Sequence, residues 1–412
     1  MYAVQGYCPQ CDKGRVPYGG RFFALPCTSQ FDSATHEWDE RKDSDFAGQW
    51  PTSELPYGFM THMNNGGIPN HGYTHWWTMF NSRQLLVLVQ LVHAIRTRQG
   101  QEEAEVAIGT LPQLLRYHCM FSIWQAAYDK MIPHFSNNNY YPKANMVEGS
   151  LFGSVGAGTF DTFREWIDAG ITWMRSPWEL VSNDDLSDSV PALNGALKGK
   201  SEKTFPQDPV LNGGVLECRS SSDLKNCENE SLDLVITDPP FGGLLHYSEL
   251  ADYFYVWLRL CLKDKYPSTF SPEYTPKILE AVANRARHSE DSDAFYQKIL
   301  TECWREAFRI LKPGGILAFT FHHSEDEPWV AVLESLFQSG FYLEAAYPIR
   351  SDETKGEGSK PGTFGSQQIE FDIVHVCRKR LEEPEPISWA RIRRAYHSHT
   401  IETDSERRQP FV

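Results

Sequence analysis

The chain contains no long uncharged apolar run and nothing that resembles a signal peptide at its start. A membrane-spanning helix needs about 18 consecutive apolar residues, and no uncharged run approaches that length. The nine cysteines are mostly scattered, which is typical of reduced thiols and not of a disulfide framework. These absences predict a cytoplasmic protein with no membrane partner.

Basic charge is also in short supply. Lys and Arg number 39 against 54 Asp and Glu, so the formal net charge of the 412 residues is −15. Such a chain is poorly suited to approach a polyanion without a local basic face or a basic partner. The length of 412 residues leaves room for two or three domains with a real core. Apolar residues make up 41% of the sequence, so we do not expect overall disorder.

A second cysteine pair is missing near the start of the chain. Cys8 and Cys11 form the single C-x-x-C pair, and with the Lys-Gly-Arg that follows they resemble one knuckle of a zinc ribbon. Zinc takes four ligands, which a ribbon supplies as two such pairs. Cys27 and His36 are the nearest further ligands, a second pair could belong to a segment before Met1, or the knuckle could be vestigial. We therefore predict that Cys8 and Cys11 bind zinc, with these alternatives open.

The most informative stretch lies at residues 232–241. Residues 232–236 are apolar except for one Asp, which predicts a buried strand that stops where two prolines remove hydrogen-bond donors. Asp238, Pro239, Pro240 and Phe241 follow directly. They therefore fall at the carboxyl end of the strand, where open α/β sheets bind ligands.

This string suits chemistry on an exocyclic amine of a nucleobase. The lone pair of such an amine is delocalised into the ring, so the nitrogen is a poor nucleophile. A carboxylate from Asp238 and a carbonyl from Pro239 could accept its two N–H bonds and free the lone pair. Prolines fix φ and hold that carbonyl in place, and Phe241 offers a flat face for a base taken out of its helix. The alternative is an ordinary Asp-Pro-Pro turn.

Residues 238–241 resemble motif IV of amino-methyltransferases that use S-adenosylmethionine. The wider stretch 237–257 is similar to adenine-specific DNA methylases that contain a zinc ribbon, and the similarity continues through 81–86 and 137–139. It covers most of residues 50–380. The resemblance implies S-adenosylmethionine as cofactor, DNA as partner, and a catalytic role for Asp238, Pro239, Pro240 and Phe241, with Asp238 also facing the cofactor.

The same resemblance predicts an α/β fold. We expect at least the downstream half of a Rossmann-like S-adenosylmethionine methyltransferase sheet, preceded by an irregular and helical N-terminal region and a zinc-ribbon-like start. A strand at 214–218 and the turn after it resemble motif III, which usually contacts the cofactor adenine. Ser220 and Asp223 are therefore candidate cofactor-binding residues, although a plain turn fits equally well.

Further along, residues 295–311 predict an amphipathic helix that ends at Lys-Pro-Gly-Gly before a strand at 316–321. This order is the usual entry into strand five of the resembling fold. The β-rich runs 342–349 and 369–377 then predict an antiparallel pair that closes the sheet.

The upstream half of this fold cannot be identified in the sequence. Before residue 215 we find no clean strand, glycine loop and acidic ribose partner. The glycines at 153–158 fit a cofactor loop poorly and indicate a glycine-supported turn, although an unusual form of the loop stays open. The chain thus looks like the downstream part of a longer family member. We expect another polypeptide or an N-terminal segment to complete it, unless it is a degenerate remnant.

Composition and periodicity suggest five regions along the chain. Helical spacing predicts helices at about 85–95 and 111–131 within the second region. The regions are a zinc-ribbon-like segment at 1–50, a mainly helical region at 51–181, a linker at 182–214, the methyltransferase-like domain at 215–380 and a polar tail at 381–412.

Two functions follow. The favoured one is methylation of the exocyclic amine of adenine in DNA, within restriction-modification or phage defence, by a chain that a protein partner completes. Cytosine, RNA and a protein amide are less favoured substrates. The other function is a non-catalytic subunit that recognises DNA or acts as a scaffold in a multi-protein DNA-modification system.

Overall fold

The computed structural model describes twelve stretches of the chain, and the elements named below lie within them. They are residues 4–7, 21–25, 27–97, 101–125, 130–136, 138–141, 147–153, 156–175, 178–180, 202–204, 217–350 and 371–382. The chain divides into two compact units: Met1–Ser220 with Pro240–Ile299, and Ser221–Pro239 with Leu300–Val412. The predicted boundaries at 181 and 214 fall outside the described residues and stay predictions.

The first unit is mainly helical. Its helices are α1 (Thr28–Arg41), α2 (Ser82–Thr97), α3 (Gln101–Leu115), α4 (Phe160–Arg175), α5 (Tyr247–Leu262) and α6 (Pro267–Phe270). Its strands form three antiparallel pairs: β1 (Val4–Tyr7) with β2 (Arg21–Ala24), β3 (Ile123–Gln125) with β4 (Lys130–Ile132), and β5 (Trp178–Leu180) with β6 (Glu202–Thr204). Short helical turns at Phe59–Met63, Asn64–Gly66, Ile68–His71 and Trp76–Met79 replace regular structure before α2.

The core of this unit is built by α2, α3 and α5. Leu88 of α2, Leu114 of α3 and Trp257 of α5 are fully buried in one apolar cluster. The helix predicted at 85–95 is confirmed as α2, because its apolar residues recur on the buried face. The helix predicted at 111–131 is wrong beyond residue 115, where α3 ends and Trp124 enters β3.

Helix α5 follows the Asp-Pro-Pro-Phe string, and its aromatic residues enter this N-terminal core. Tyr253 and Trp257 are buried, Phe80 stacks on Tyr253 with ring centroids 5.8 Å apart, and the Tyr253 hydroxyl donates to the carbonyl of Leu115 at 2.9 Å. The sequence suggested that residues 240–299 belong with the methyltransferase-like sheet. Their contacts group them with the first unit, because α5 is aromatic enough to serve as a core helix.

A buried polar cluster anchors α5 and the long loop after it. Glu249 is 2% exposed, and its carboxylate accepts from the Met60 N–H at 2.7 Å and from Asn284 Nδ2 at 2.6 Å. Arg287 Nε lies 3.6 Å from the same carboxylate. A Cβ on Gly58 would lie 2.6 Å from Glu249 Oε2, so glycine makes room for this carboxylate. Hydrogen bonds thus fix the loop at 263–291.

We expect Glu249→Ala to lower the free energy of unfolding by about 3–5 kcal/mol. The substitution leaves the buried Asn284 amide and the Met60 N–H without their acceptor and removes the carboxylate beside Arg287, which costs more than a lost surface contact. Glu273→Ala, an exposed change in the same loop, is the matched control and should cost less than about 0.5 kcal/mol. Urea denaturation of the two variants measures both values. Equal costs for them would show that the cluster contributes nothing special to stability.

The second unit contains a four-stranded sheet. Its strands are β7 (Leu232–Thr237), β8 (Leu311–Thr320), β9 (Phe341–Arg350) and β10 (Phe371–Lys379), in the spatial order β7-β8-β10-β9. β7 is parallel to β8, and β10 is antiparallel to both β8 and β9. The predicted closing pair is therefore confirmed, and the unit is a mixed α/β structure. Of the strand predicted at 214–218, the described residues Glu217 and Cys218 lie outside any strand, so the prediction is wrong for them.

The part of helix α7 (Ser292–Ile310) from Leu300 onward and helix α8 (Asp326–Gln338) pack on one face of this sheet. Trp304 of α7 contacts Phe319 of β8, with ring centroids 5.2 Å apart, and its Nε1 donates to Ser335 Oγ of α8 at 3.0 Å. Leu317 and Phe319, which alternate onto that face, are buried. Among the described residues, no helix is both long and apolar enough to cross a membrane.

Candidate active site

Asp238 lies at the carboxyl end of β7, as the sequence predicts. β8 is parallel to β7 and ends at Thr320, so both strands deliver their last residues to the same edge of the sheet. The Thr320 hydroxyl donates a short hydrogen bond to Asp238 Oδ1, and this pair is exposed to solvent. The carboxylate is therefore held in one orientation while it stays accessible to a ligand.

A second polar pair lies at the same edge. β10 runs antiparallel to β8, with Val374 opposite Thr320, so its early residues reach beyond the end of β8. The carboxylate of Asp372, near the start of β10, lies against His322 Nδ1 just after β8. Sequence reasoning missed Thr320, His322 and Asp372. The signal available was a buried strand followed directly by polar residues, the same pattern that identified Asp238.

The remainder of the Asp-Pro-Pro-Phe string is fixed by its own turn. Pro239 is buried and Phe241 half-buried. The Pro240 carbonyl accepts from the Tyr296 hydroxyl at 2.6 Å. Burial raises the pKa of Tyr296, so its hydroxyl keeps the proton that it donates. The Pro240 carbonyl also accepts from the Gly242 N–H at 3.2 Å, so it is engaged within the protein. The catalytic roles of residues 239–241 stay predictions.

The predicted cofactor residue Asp223 lies away from this edge. Its carboxylate pairs with Lys225 Nζ at 2.7 Å. Next to it, the Leu224 N–H donates to Glu306 at 2.8 Å, and Arg309 donates to the Leu224 carbonyl at 2.9 Å. The loop held by these bonds enters β7 at its amino end, and β7 has six residues, about 20 Å of strand. The structure thus does not bring Asp223 beside Asp238.

Ser220 is half-buried at the end of the first unit's N-terminal segment. A role for Ser220 and Asp223 in cofactor binding stays a prediction. The hydrogen bonds within this loop neither support that role nor prevent it.

The glycines at 153–158 are described except for the residues 154 and 155 between them. Gly158 has φ +83°, and a Cβ there would lie 2.5 Å from the Cβ of Tyr117. Its carbonyl accepts from Nε2 of the buried His118, and burial lowers the pKa of that imidazole. Gly156 also has positive φ, but a Cβ there would meet open space. Gly158 thus meets a packing demand of the helical unit, as expected for a glycine-supported turn.

We expect Gly158→Ala to lower the free energy of unfolding by about 1–3 kcal/mol. The new methyl group would clash with Tyr117, and φ is unfavourable for alanine. Gly156→Ala is the matched control, since it carries the backbone cost without the clash. Thermal unfolding of both variants compares them. A Gly158→Ala protein as stable as the Gly156→Ala protein would remove the packing explanation and revive the interpretation of this turn as a cofactor loop.

The predicted zinc ligands Cys8 and Cys11 lie outside the described residues. Of their suggested companions, Cys27 is exposed and its thiol contacts Ser29 Oγ at 3.2 Å, while His36 Nε2 pairs with Glu40 at 3.1 Å. Within the described ranges, no cluster of three or more His, Cys, Asp or Glu residues could hold a metal ion. Zinc binding stays a prediction.

No protein-family model and no curated protein matches the chain. Among solved structures, it is similar to TTHA0409 of Thermus thermophilus, described as a candidate DNA modification methylase. The selenomethionine form is 19% identical, with 39% of this chain and 50% of that chain covered and a TM-score of 0.20. The complex with S-adenosyl-L-methionine is 18% identical, with 39% and 51% covered and a TM-score of 0.20. The match spans about half of the Thermus chain, and superpositions this weak establish no shared fold.

Proposed function

We propose that this chain is the motif IV part of an S-adenosylmethionine-dependent DNA methyltransferase that acts on the exocyclic amine of adenine. One observation carries the proposal: the Asp238 carboxylate, within Asp-Pro-Pro-Phe, is oriented at the carboxyl end of β7 and stays exposed. A turn that served only to end a strand would not need a carboxylate held in this way. The preference for adenine and for DNA rests on the sequence resemblance.

The chemistry of the site begins at the amine. Asp238 and the carbonyl of Pro239 accept its two N–H bonds, which draws the nitrogen toward tetrahedral geometry and concentrates its lone pair. The Thr320 hydroxyl fixes one carboxylate oxygen, so the other oxygen of Asp238 is the one that faces the substrate. As the new N–C bond forms, the nitrogen sheds a proton, and the carboxylate bonded to it is the nearest base.

S-adenosylmethionine would supply the electrophilic methyl group, but the described residues suit only part of it. Asp238 stands at the correct edge, whereas the glycines with positive φ at 156 and 158 lie in the helical unit. The glycines that follow β7, Gly242 and Gly243, come after the Asp-Pro-Pro-Phe string and not directly after the strand. We therefore assign the rest of the cofactor site to another polypeptide.

A partner would also offset the negative charge of the chain. At −15, the chain repels a polyanion at long range. A partner that carries the basic DNA-binding surface would supply the attraction that this chain lacks. The complex, and not the isolated chain, is accordingly the form in which we expect activity.

We expect Asp238→Ala to reduce DNA methylation by about 100-fold or more while leaving the fold intact. Asp238 is exposed, so its loss removes the amine acceptor without a cavity. Asp233→Ala is the matched control, because Asp233 is an exposed carboxylate on the same strand and pairs with Lys312 at 2.7 Å. The measurement is N6-methyladenine by mass spectrometry of nucleosides, in source cells that carry each variant in place of the wild-type chain.

Normal methylation with Asp238→Ala would contradict the proposal and favour a non-catalytic DNA-recognition or scaffold subunit. The same digest separates N6-methyladenine from N4-methylcytosine, and a parallel digest of RNA tests the other polymer. A loss that appears only in N4-methylcytosine would correct the base and retain the mechanism.

We expect Phe241→Ala to lower the rate of methyl transfer through lost base stacking, which is worth about 1–3 kcal/mol. Phe241→Tyr keeps a flat face and should restore most of the activity. Phe337→Ala, which removes an exposed aromatic ring from α8, is the control for general loss of aromatic surface. An active Phe241→Ala protein would show that this ring does not stack on the substrate.

A further inference from the structure

The edge of β7 carries exposed apolar side chains. Among the described residues, β7 pairs with β8 on one side and with no strand on the other. Leu232, Leu234 and Ile236 are 37%, 48% and 73% exposed, so exposure rises toward the carboxyl end where Asp238 follows. Native proteins normally cover or charge such an edge, because an open apolar edge invites pairing with another chain.

The exposed side chains belong to the face of the sheet that α7 and α8 leave open. Leu234 is aligned with Ile316 and Ile236 with Ala318, and none of these four residues is fully buried. The alternate residues Leu317 and Phe319 face the two helices and are buried. Parallel strands are almost always covered on both faces. The open face beside the β7–β8 pair is therefore unusual, and we expect another element to cover it.

β9 also has exposed apolar residues, but its setting is different. Tyr347 is 57% exposed and, through Val374, is aligned with Thr320 on the same open face. β9 and β10 are antiparallel, and antiparallel sheets tolerate water on one face. The demand for cover is therefore strongest at β7, three strand spacings or about 14 Å from β9.

The charge of the chain indicates what kind of molecule covers β7. Five acidic residues lie in β7, in the loop before it and in the turn after it, and three of them are paired: Asp223 with Lys225, Asp233 with Lys312 and Glu230 with Lys379. Glu228 and Asp238 are the other two, so the local excess of negative charge is small. The chain as a whole carries −15, so a second copy would be repelled. A basic occupant would be attracted.

We propose that the edge of β7 and the adjoining open face bind a basic partner polypeptide, which adds a strand parallel to β7 and packs a helix over Leu234 and Ile236. A parallel strand brings its own carboxyl end to the edge where Asp238 lies, which is where sheets of this kind bind ligands. The inference rests on the proposed function in one respect: it names the surface through which the partner completes the site. We expect the contact to bury more than about 1,000 Å².

The first experiment identifies the occupant. The photo-crosslinking residue benzoylphenylalanine replaces Ile236 in the full chain, which is produced in source cells, and replaces Tyr347 in the control. Mass spectrometry of the crosslinked peptide should give, for Ile236 alone, an apolar strand flanked by Lys or Arg from a different polypeptide. A peptide from this chain, whether from the same molecule or from a second copy, would overturn the proposal, and so would the absence of any crosslink.

The second experiment measures binding of the crosslinked polypeptide, produced as a purified protein, to the full chain. Ile236→Lys should weaken binding at least 10-fold, and Tyr347→Lys should change it less than 3-fold. Both side chains are exposed, and circular dichroism confirms that both variants fold. The wild-type dissociation constant should rise with salt, as charge attraction requires. Equal effects of the two variants would move the contact away from β7 and refute the proposal.

Asp238→Ala separates this inference from the proposed function. The variant should bind the partner with wild-type affinity although methylation is lost. If the complex forms through β7 and no DNA, RNA or protein is methylated, the docking surface holds and the proposed function fails. If methylation depends on Asp238 while Ile236→Lys leaves binding and activity unchanged, the function holds and the docking surface fails.

Discussion

The parallel pairing of β7 with β8 is the constraint on which the candidate site depends. It brings the ends of two strands that are distant in sequence to one edge, so Thr320 can hold the Asp238 carboxylate. It also requires the chain to cross back along the sheet, which α7 does. Because α7 and α8 then cover the same face, the geometry that creates the site also leaves the other face of β7 open.

Sequence reasoning could locate Asp238 because the signal was local. An apolar run, two prolines and a carboxylate in succession fix both the end of a strand and the chemistry placed there. Thr320, His322 and Asp372 come from two other strands, and their meeting at one edge follows from pairing and register. A local pattern marks the polar residues at the end of β8, but it encodes neither the pairing nor the register of the strands. Their meeting with Asp238 and Asp372 could therefore be found only once the sheet was known. The pairing of β9 with β10 was predictable because both runs are strongly β-forming.

The errors have physical causes of the same kind. Trp124 stands where helical spacing continues past α3, but the chain turns at residues 116–121 and the Met120 N–H bonds to the Met79 carbonyl. This tertiary contact overrides the local pattern. Residues 240–299 follow the motif in sequence, yet α5 carries Tyr253 and Trp257 into the helical core. Burial of large aromatic residues outweighs proximity along the chain in deciding which unit a helix joins.

The uncovered side of β7 leaves the candidate site without a neighbouring strand, and it also leaves apolar side chains exposed to water. A carboxylate at the edge of a sheet attracts a ligand only if the neighbouring strand delivers the remaining contacts, and on one side of β7 no described strand does so. Covering Leu234 and Ile236 would be favourable by about 25 cal/mol for each Å² removed from water, whereas leaving them exposed invites self-association. The net charge of −15 disfavours that outcome, since two copies would bring like charges together. The same apolar residues that make the isolated edge a hazard thus favour a partner of opposite charge, which is also the partner that an acidic chain needs to approach DNA.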